Sequence, residues 1–467
     1  MIHIQIIKIV TINNFQYLYK IGRGGFGNVW KVKNKETGKY FALKQMAKAK
    51  IIDQNSERSI LKERFFLSKM NNPFIVNMLC SFQDKDHIYL VLQLLTGGDL
   101  RYHLTNYNYS FTETQIKFLL SNIVLGLQYI HSKDIIHRDL KPENIIFDDK
   151  GYAYITDFGI AWSRNDNNEG DNSGTPCYMA PETLFGLDQD FYVDFYSLGV
   201  IGYEIILGKT PYDGNSRREI KKQMQDKYIL LENDEVDNYS DICVEFINKL
   251  LEEKPEKRLG SDSGVCQIKE DIFFKGLNWD LIYQHKYLSP IFDIIKMARI
   301  KEGGVEELFD LEYCAKEESV NKTTIERYDK IRKGRYYSKY FRNYSIICVD
   351  NILRELPKRK KYKVIKKINL NNPNENNNNN INHNTIDGQL NNINNRYTRA
   401  KYHIRSQSID NIFPKINVPH INRNYHHNYQ RRNIDDDNLK YKHKNNSVIE
   451  HDKNKNNNDY FCFYHVQ

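Results

Sequence analysis

Eight consecutive residues, His137-Arg138-Asp139-Leu140-Lys141-Pro142-Glu143-Asn144, constrain this chain more than any other feature, because Asp157-Phe158-Gly159 follows thirteen residues after the asparagine. In-line movement of a phosphoryl group needs a carboxylate beside the attacking hydroxyl, a cation against the phosphate and hard oxygen ligands for Mg²⁺. Asp139, Lys141, Asn144 and Asp157 supply all of these. Each residue type alone is commonplace, and a lone Asp-Phe-Gly is an ordinary turn. The ordered set makes phosphoryl transfer the leading chemistry.

Such a site needs a nucleotide clamp upstream of it. The segment Ile21-Gly22-Arg23-Gly24-Gly25-Phe26-Gly27-Asn28-Val29 fits G-x-G-x-x-G-x-V, with apolar alternation on both sides that reads as a β-hairpin. A dinucleotide-binding loop shares the glycines, but there a helix opens at once. Here Tyr40-Phe41-Ala42-Leu43-Lys44 reads as another strand, which makes Lys44 the expected phosphate-binding lysine.

In order and spacing these motifs resemble the eukaryotic protein kinases over residues 15–275. The resemblance implies an α+β, bilobal fold with a small mainly-β lobe over 15–95, a large mainly-α lobe over 96–275, and ATP between them. It implies a Lys44–Glu63 ion pair, since Glu63 lies ten residues before Pro73 as in the family, whereas Glu57 reads as a surface charge of the same helix, Ser56 to Met70. Asp139 is expected to orient the acceptor hydroxyl, with Thr175 bonding Asp139 and Lys141, and Asn144 and Asp157 to hold Mg²⁺. Lys141 resembles the serine/threonine class. The adenine is expected between Val29 and Ala42 above and Ile146 below, with Leu92 as gatekeeper, hinge contacts from Gln93 and Leu95, Asp99 on the ribose and Glu143 in the same nucleotide set. Ala180-Pro181-Glu182 with Arg258, and Asp194 behind the catalytic loop, resemble structural residues of the family. A catalytically silent scaffold would share this fold, but every charged member of the apparatus is present.

Finer resemblance points to the AGC group and its YANK branch, through the run Leu94 to Leu104 and Asn278-Trp279-Asp280. Related basophilic kinases place acids at Asp99, Glu143 and Glu204, so arginine upstream of the phosphosite is expected to be favoured. At the position of the usual activation-loop phosphosite stands Asp171, expected to pair with Arg138 without phosphorylation. The group's hydrophobic tail motif is not recognisable; Phe309 to Tyr313 and Tyr337 to Phe341 match it loosely.

Charge divides the rest of the chain. Residues 355–467 carry 20 Lys and Arg against 10 Asp and Glu, while the preceding residues carry 48 against 49, so the net positive charge of +9 belongs to the tail. The plan is an extension over 1–14, the kinase domain over 15–275, an AGC-like extension over 276–354 and a basic Asn-rich tail over 355–467, expected to be disordered for want of apolar burial. The basic run 358–367 could meet an anionic membrane, nucleic acid or an import receptor, and Ser408 in Arg405-Ser406-Gln407-Ser408 is an expected self-modification site. Seven scattered cysteines form no disulfide or zinc spacing, and no apolar run is long enough to span a bilayer. Cytoplasmic placement is expected, with the nucleus as a further location.

Overall fold

The computed structural model describes residues 10–106, 111–164, 173–214, 216–232, 236–302, 307–308, 322–333, 341 and 344–348. Asp171, Ser408 and the basic run 358–367 lie outside the described residues.

Alternating apolar residues and glycine turns build the first lobe as an antiparallel sheet. Its strands are β1 (Phe15–Gly24), β2 (Gly27–Asn34), β3 (Tyr40–Ala47), β4 (Met78–Gln83) and β5 (His87–Leu92). The sheet order is β1-β2-β3-β5-β4, and a strand from far along the chain, Ile346–Ile347, adds to β4 at the edge. Between β3 and β4 run α1 (Lys48–Asp53) and α2 (Glu57–Lys69). The inner face of α2 carries Ile60, Glu63, Phe66 and Leu67, all buried, so its one buried acid sits among apolar neighbours and needs a cation.

The second lobe is built on helices. After α3 (Leu100–Asn106) comes α4 (Glu113–His131), which starts with a capping box: Thr112 Oγ1 accepts from the Gln115 amide, and Gln115 Oε1 accepts from the Thr112 amide. Nearly every residue from Ile116 to Leu127 is buried, the pattern of a helix at the centre of a domain rather than on its surface. Around it pack α5 (Pro181–Phe185), α6 (Tyr192–Leu207), α7 (Arg217–Asp226), α8 (Asp241–Leu250) and shorter helices to α11 (Phe292–Lys301). The bilobal α+β architecture expected from the sequence is therefore the architecture found.

Two short ribbons, Ile135–Ile136 with Trp162–Ser163 and Ile145–Phe147 with Ala153–Ile155, hold the motif-bearing loops. The first ribbon lets the loop 137–144 leave beside Trp162, and the second returns the chain to Asp157.

The tail-proximal residues pack where the sequence showed only a loose pattern. Phe341 and Tyr344 are fully buried on the first lobe, where Ser81 Oγ donates to the Tyr344 carbonyl at 2.7 Å. Of the two loose motif candidates, 309–313 and 337–340 lie outside the described residues, and Phe341 is the described member. Glu307 takes Lys31 Nζ of β2 at 2.6 Å, and the Leu308 amide donates to the Thr96 carbonyl at 3.0 Å, so this segment crosses between the lobes.

Candidate active site

The glycine hairpin is assembled by register. Gly24 faces Gly27 and Gly22 faces Val29, and on the next strand Lys44 stands opposite Val29 while Ala42 stands opposite Leu92 of β5. Arg23 pairs with Asn28, Ile21 sits at a register shift between Lys20 and Gly22, and Gly25 and Phe26 form the turn. At Gly27 a side chain is excluded: a Cβ would lie 2.0 Å from the Gln45 carbonyl oxygen on β3. At the other end of the sheet the Gln93 amide donates to the Asn77 carbonyl at 2.9 Å, and Leu92 and Leu95 are buried. Ile146 forms an isolated bridge with Asp99, which sets the residue expected below the adenine beside the residue expected at the ribose.

Lys44 Nζ bonds Glu63 Oε1 at 2.6 Å, so the buried acid of α2 is the partner and Glu57 is not. Burial works against the Lys44 charge, but the carboxylates of Glu63 and Asp157 outweigh it and hold the ammonium above its usual range. Asp157 is shaped by the same balance: burial pushes its carboxyl up, while Lys44, the Gly159 amide, His137 and Lys141 pull it below the usual carboxylate range. Asp157 therefore stays ionised beside Lys44. Ser59 of α2 donates to the Gly159 carbonyl, which ties that helix to the Asp-Phe-Gly turn.

Asp139 is the hub of the second loop. Lys141 Nζ donates to its Oδ2 at 2.8 Å and Asn144 Nδ2 to the same oxygen at 3.1 Å, while Thr175 donates to Oδ1 through its amide at 3.1 Å and its hydroxyl at 2.8 Å. Lys141 Nζ also reaches Thr175 Oγ1 at 2.7 Å. With Nδ2 committed to Asp139, Oδ1 is the pole that Asn144 can offer a hard cation. Asn144 Oδ1 and the ionised Asp157 fit Mg²⁺, which is held by one or two protein oxygens together with phosphate and water.

The loop's shape is maintained from behind. Arg138 and Asp157 have φ of 69° and 63°, a region costly to residues with a side chain. Asp194 of α6 compensates at Arg138, accepting from the His137 amide at 2.9 Å, the Arg138 amide at 2.8 Å and His131 Nε2 at 2.8 Å. The Arg138 guanidinium lies 4.6 Å over the Trp162 ring, a cation–π contact.

The acids near the acceptor loop have a partner within the chain. Glu143 and Glu204, read from the sequence as receivers of substrate arginine, both bond Arg101 of α3, at 2.9 and 2.7 Å. Glu143, counted also with the nucleotide residues, meets Arg101 through its Oε1. Asp99 accepts from the Tyr102 amide at 2.7 Å and caps α3. Arg101 was missed because a lone arginine on a short helix carries no signal in sequence.

The same helix buries His103, whose Nε2 meets the Gly97 carbonyl at 2.7 Å. Burial lowers its pKa to about 4 from the ordinary 6.5. Below the ordinary value the unfolded chain takes a proton that the folded chain refuses, so this contribution to stability is present at neutral pH and lost as the pH falls. Between about pH 7.5 and about pH 5 the loss is about 2 kcal/mol. Urea unfolding at the two pH values is expected to show a smaller drop for His103→Gln than for the parent, and equal drops would exclude this role.

The protein kinase domain model matches residues 15–274, more than half of the chain. The serine/threonine-protein kinase sgk-1 of Caenorhabditis elegans is 35% identical over 308 residues, 65% of this chain and 65% of the relative. AtPK1/AtPK6 of Arabidopsis thaliana, also a serine/threonine-protein kinase, is 37% identical over 59% of this chain and 58% of its own length. The corresponding figures for the serine/threonine-protein kinase gad8 of Schizosaccharomyces pombe are 36%, 62% and 50%. The chain therefore spans between half and two thirds of the length of these relatives. With a glycine hairpin over a lysine–glutamate pair, and Asp139 and Asp157 presented on adjoining loops, the chain belongs to the protein kinase family.

Proposed function

We propose that this chain is a serine/threonine protein kinase, transferring the ATP γ-phosphate to Ser or Thr hydroxyls of protein substrates. The observation that carries the reading is the convergence of Lys141, Asn144 and Thr175 on one carboxylate, Asp139. A carboxylate so held keeps one orientation and can align an incoming hydroxyl. Lys44, fixed by Glu63, would hold the α/β-phosphates under the backbone of Gly22 to Gly27, and Asp157 with Asn144 would hold Mg²⁺. Mg-ATP, when bound, supplies the transferable phosphoryl group and the neutralising charge. Lys141 places a cation beside the acceptor position, and Val29, Ala42, Leu92 and Ile146 would enclose the base in apolar surface, with Gln93 and Leu95 at the hinge and Asp99 near the ribose.

We also assign the chain to the AGC group, nearest its YANK branch, on the segments Leu94 to Leu104 and Asn278-Trp279-Asp280. The boundaries 15–275, 276–354 and 355–467 belong to the same proposal, with cytoplasmic placement supported by the cysteine pattern and further partners by the composition of run 358–367. Among the described residues no helix is long and apolar enough to cross a membrane. The full chain incubated with Mg²⁺ and γ-labelled ATP is expected to label serine and threonine of a mixed protein substrate, with loss of label on chelation and return on adding Mg²⁺. Label on tyrosine alone, or transfer that persists under chelation, would contradict the reading.

A further inference from the structure

Arg101 lies in a pocket formed by two elements of the proposed acceptor site. Its Nε donates to Glu143 Oε1 at 2.9 Å, its Nη1 to Glu204 Oε1 at 2.7 Å and its Nη2 to the Tyr178 hydroxyl at 2.6 Å. The Tyr178 hydroxyl in turn donates to Glu204 Oε2. Glu143 follows Asp139 by four residues and Tyr178 follows Thr175 by three, so short segments tie this cluster to both sides of the Asp139–Thr175 hydrogen bond. Glu204 is buried, and a buried carboxylate requires a cation. The fork of Arg101 meets that requirement from inside the chain, although burial by itself disfavours its charge.

A substrate arginine entering here would meet acids whose guanidinium-facing oxygens are already engaged, and it would have to share the pocket with a second positive charge. We propose that Arg101 is a built-in occupant of the acidic subsite beside Asp139, so that this kinase accepts protein substrates without requiring arginine upstream of the acceptor hydroxyl. The proposal rests on the kinase reading above, and it replaces the arginine preference expected from Asp99, Glu143 and Glu204.

The test uses two peptides that differ only in carrying arginine or alanine two and three residues before a single threonine, with kcat and KM measured for full-length wild type and Arg101→Ala. The wild-type ratio of kcat/KM, arginine over alanine peptide, is expected within about threefold, and Arg101→Ala is expected to raise it by about tenfold or more, through KM. Arg101→Gln, which keeps most of the length but not the charge, is expected to shift the ratio the same way. A wild-type ratio above about tenfold, or an unchanged ratio in variants that still phosphorylate the alanine peptide, overturns the proposal alone. If both variants unfold, the wild-type ratio decides. Failure of the wild type to phosphorylate any protein or peptide overturns the kinase reading, and the proposal falls with it.

Discussion

Replacing Asp139 with alanine is expected to lower kcat for phosphoryl transfer by about 10²–10⁴-fold, the range associated with a positioned acid or base. The geometry sets both the size and the selectivity of the loss. Lys141, Asn144 and Thr175 all donate to this carboxylate, so its removal leaves the acceptor hydroxyl without an aligning group and its three neighbours without their common anchor. Nucleotide binding should survive, because Lys44 and Glu63 pair on the opposite lobe without contacting Asp139. Single-turnover transfer and the affinity for a fluorescent ATP analogue, measured on the same preparation, separate the two effects. A variant with parental kcat would remove Asp139 from the mechanism, and one that also loses the nucleotide would indicate a collapse of the site.

Arg258→Ala is expected to cost about 3–5 kcal/mol of stability, because it leaves a buried carboxylate without its cation. Arg258 is wholly buried and bonds Glu182 through both terminal nitrogens, at 2.6 and 2.9 Å. Its remaining donors reach the carbonyls of Glu252, Tyr192 and Glu253, so all five N–H groups are satisfied. The guanidinium also lies 5.1 Å over the Tyr196 ring. Nearby, Gly260 has φ of 101° and a Cβ there would lie 2.5 Å from Phe195, so the turn after Arg258 packs directly on α6. Thermal unfolding should show a fall in Tm of about 10 °C for Arg258→Ala. The paired change Arg258→Met with Glu182→Leu should recover much of it, since removing both charges leaves none unpaired. A fall of only about 2 °C would mean that the loop is held mainly by its apolar contacts.

The parts legible in the sequence are those whose spacing the local backbone dictates. The hairpin was readable because its glycines sit where two strands must turn and approach a third, and Gly27 has no room for a side chain against Gln45. Glu63 was preferred to Glu57 as the partner of Lys44 by its distance from Pro73, and it is the acid on the buried face of α2. The loop from His137 to Asn144 is short enough to bring Asp139, Lys141 and Asn144 within reach of one another, and Asp194 of α6 holds it in that shape.

By itself, then, the sequence determined the motif set from which the family resemblance and its two lobes were inferred, and the identities of the charged residues that gather at Asp139 and Asp157, since the motifs are short-range patterns of residues. Only the tertiary structure decided which distant groups those residues meet. Arg101 reaches Glu143 and Glu204 across 42 and 103 residues of chain, and in sequence it could not be distinguished from a solvated surface charge. The Ile346–Ile347 strand finds the edge of β4, and Phe341 and Tyr344 become buried beside it, because an unpaired sheet edge and an apolar surface were available there. A contact of that kind depends on the completed packing of other segments, and no local pattern in the chain encodes it.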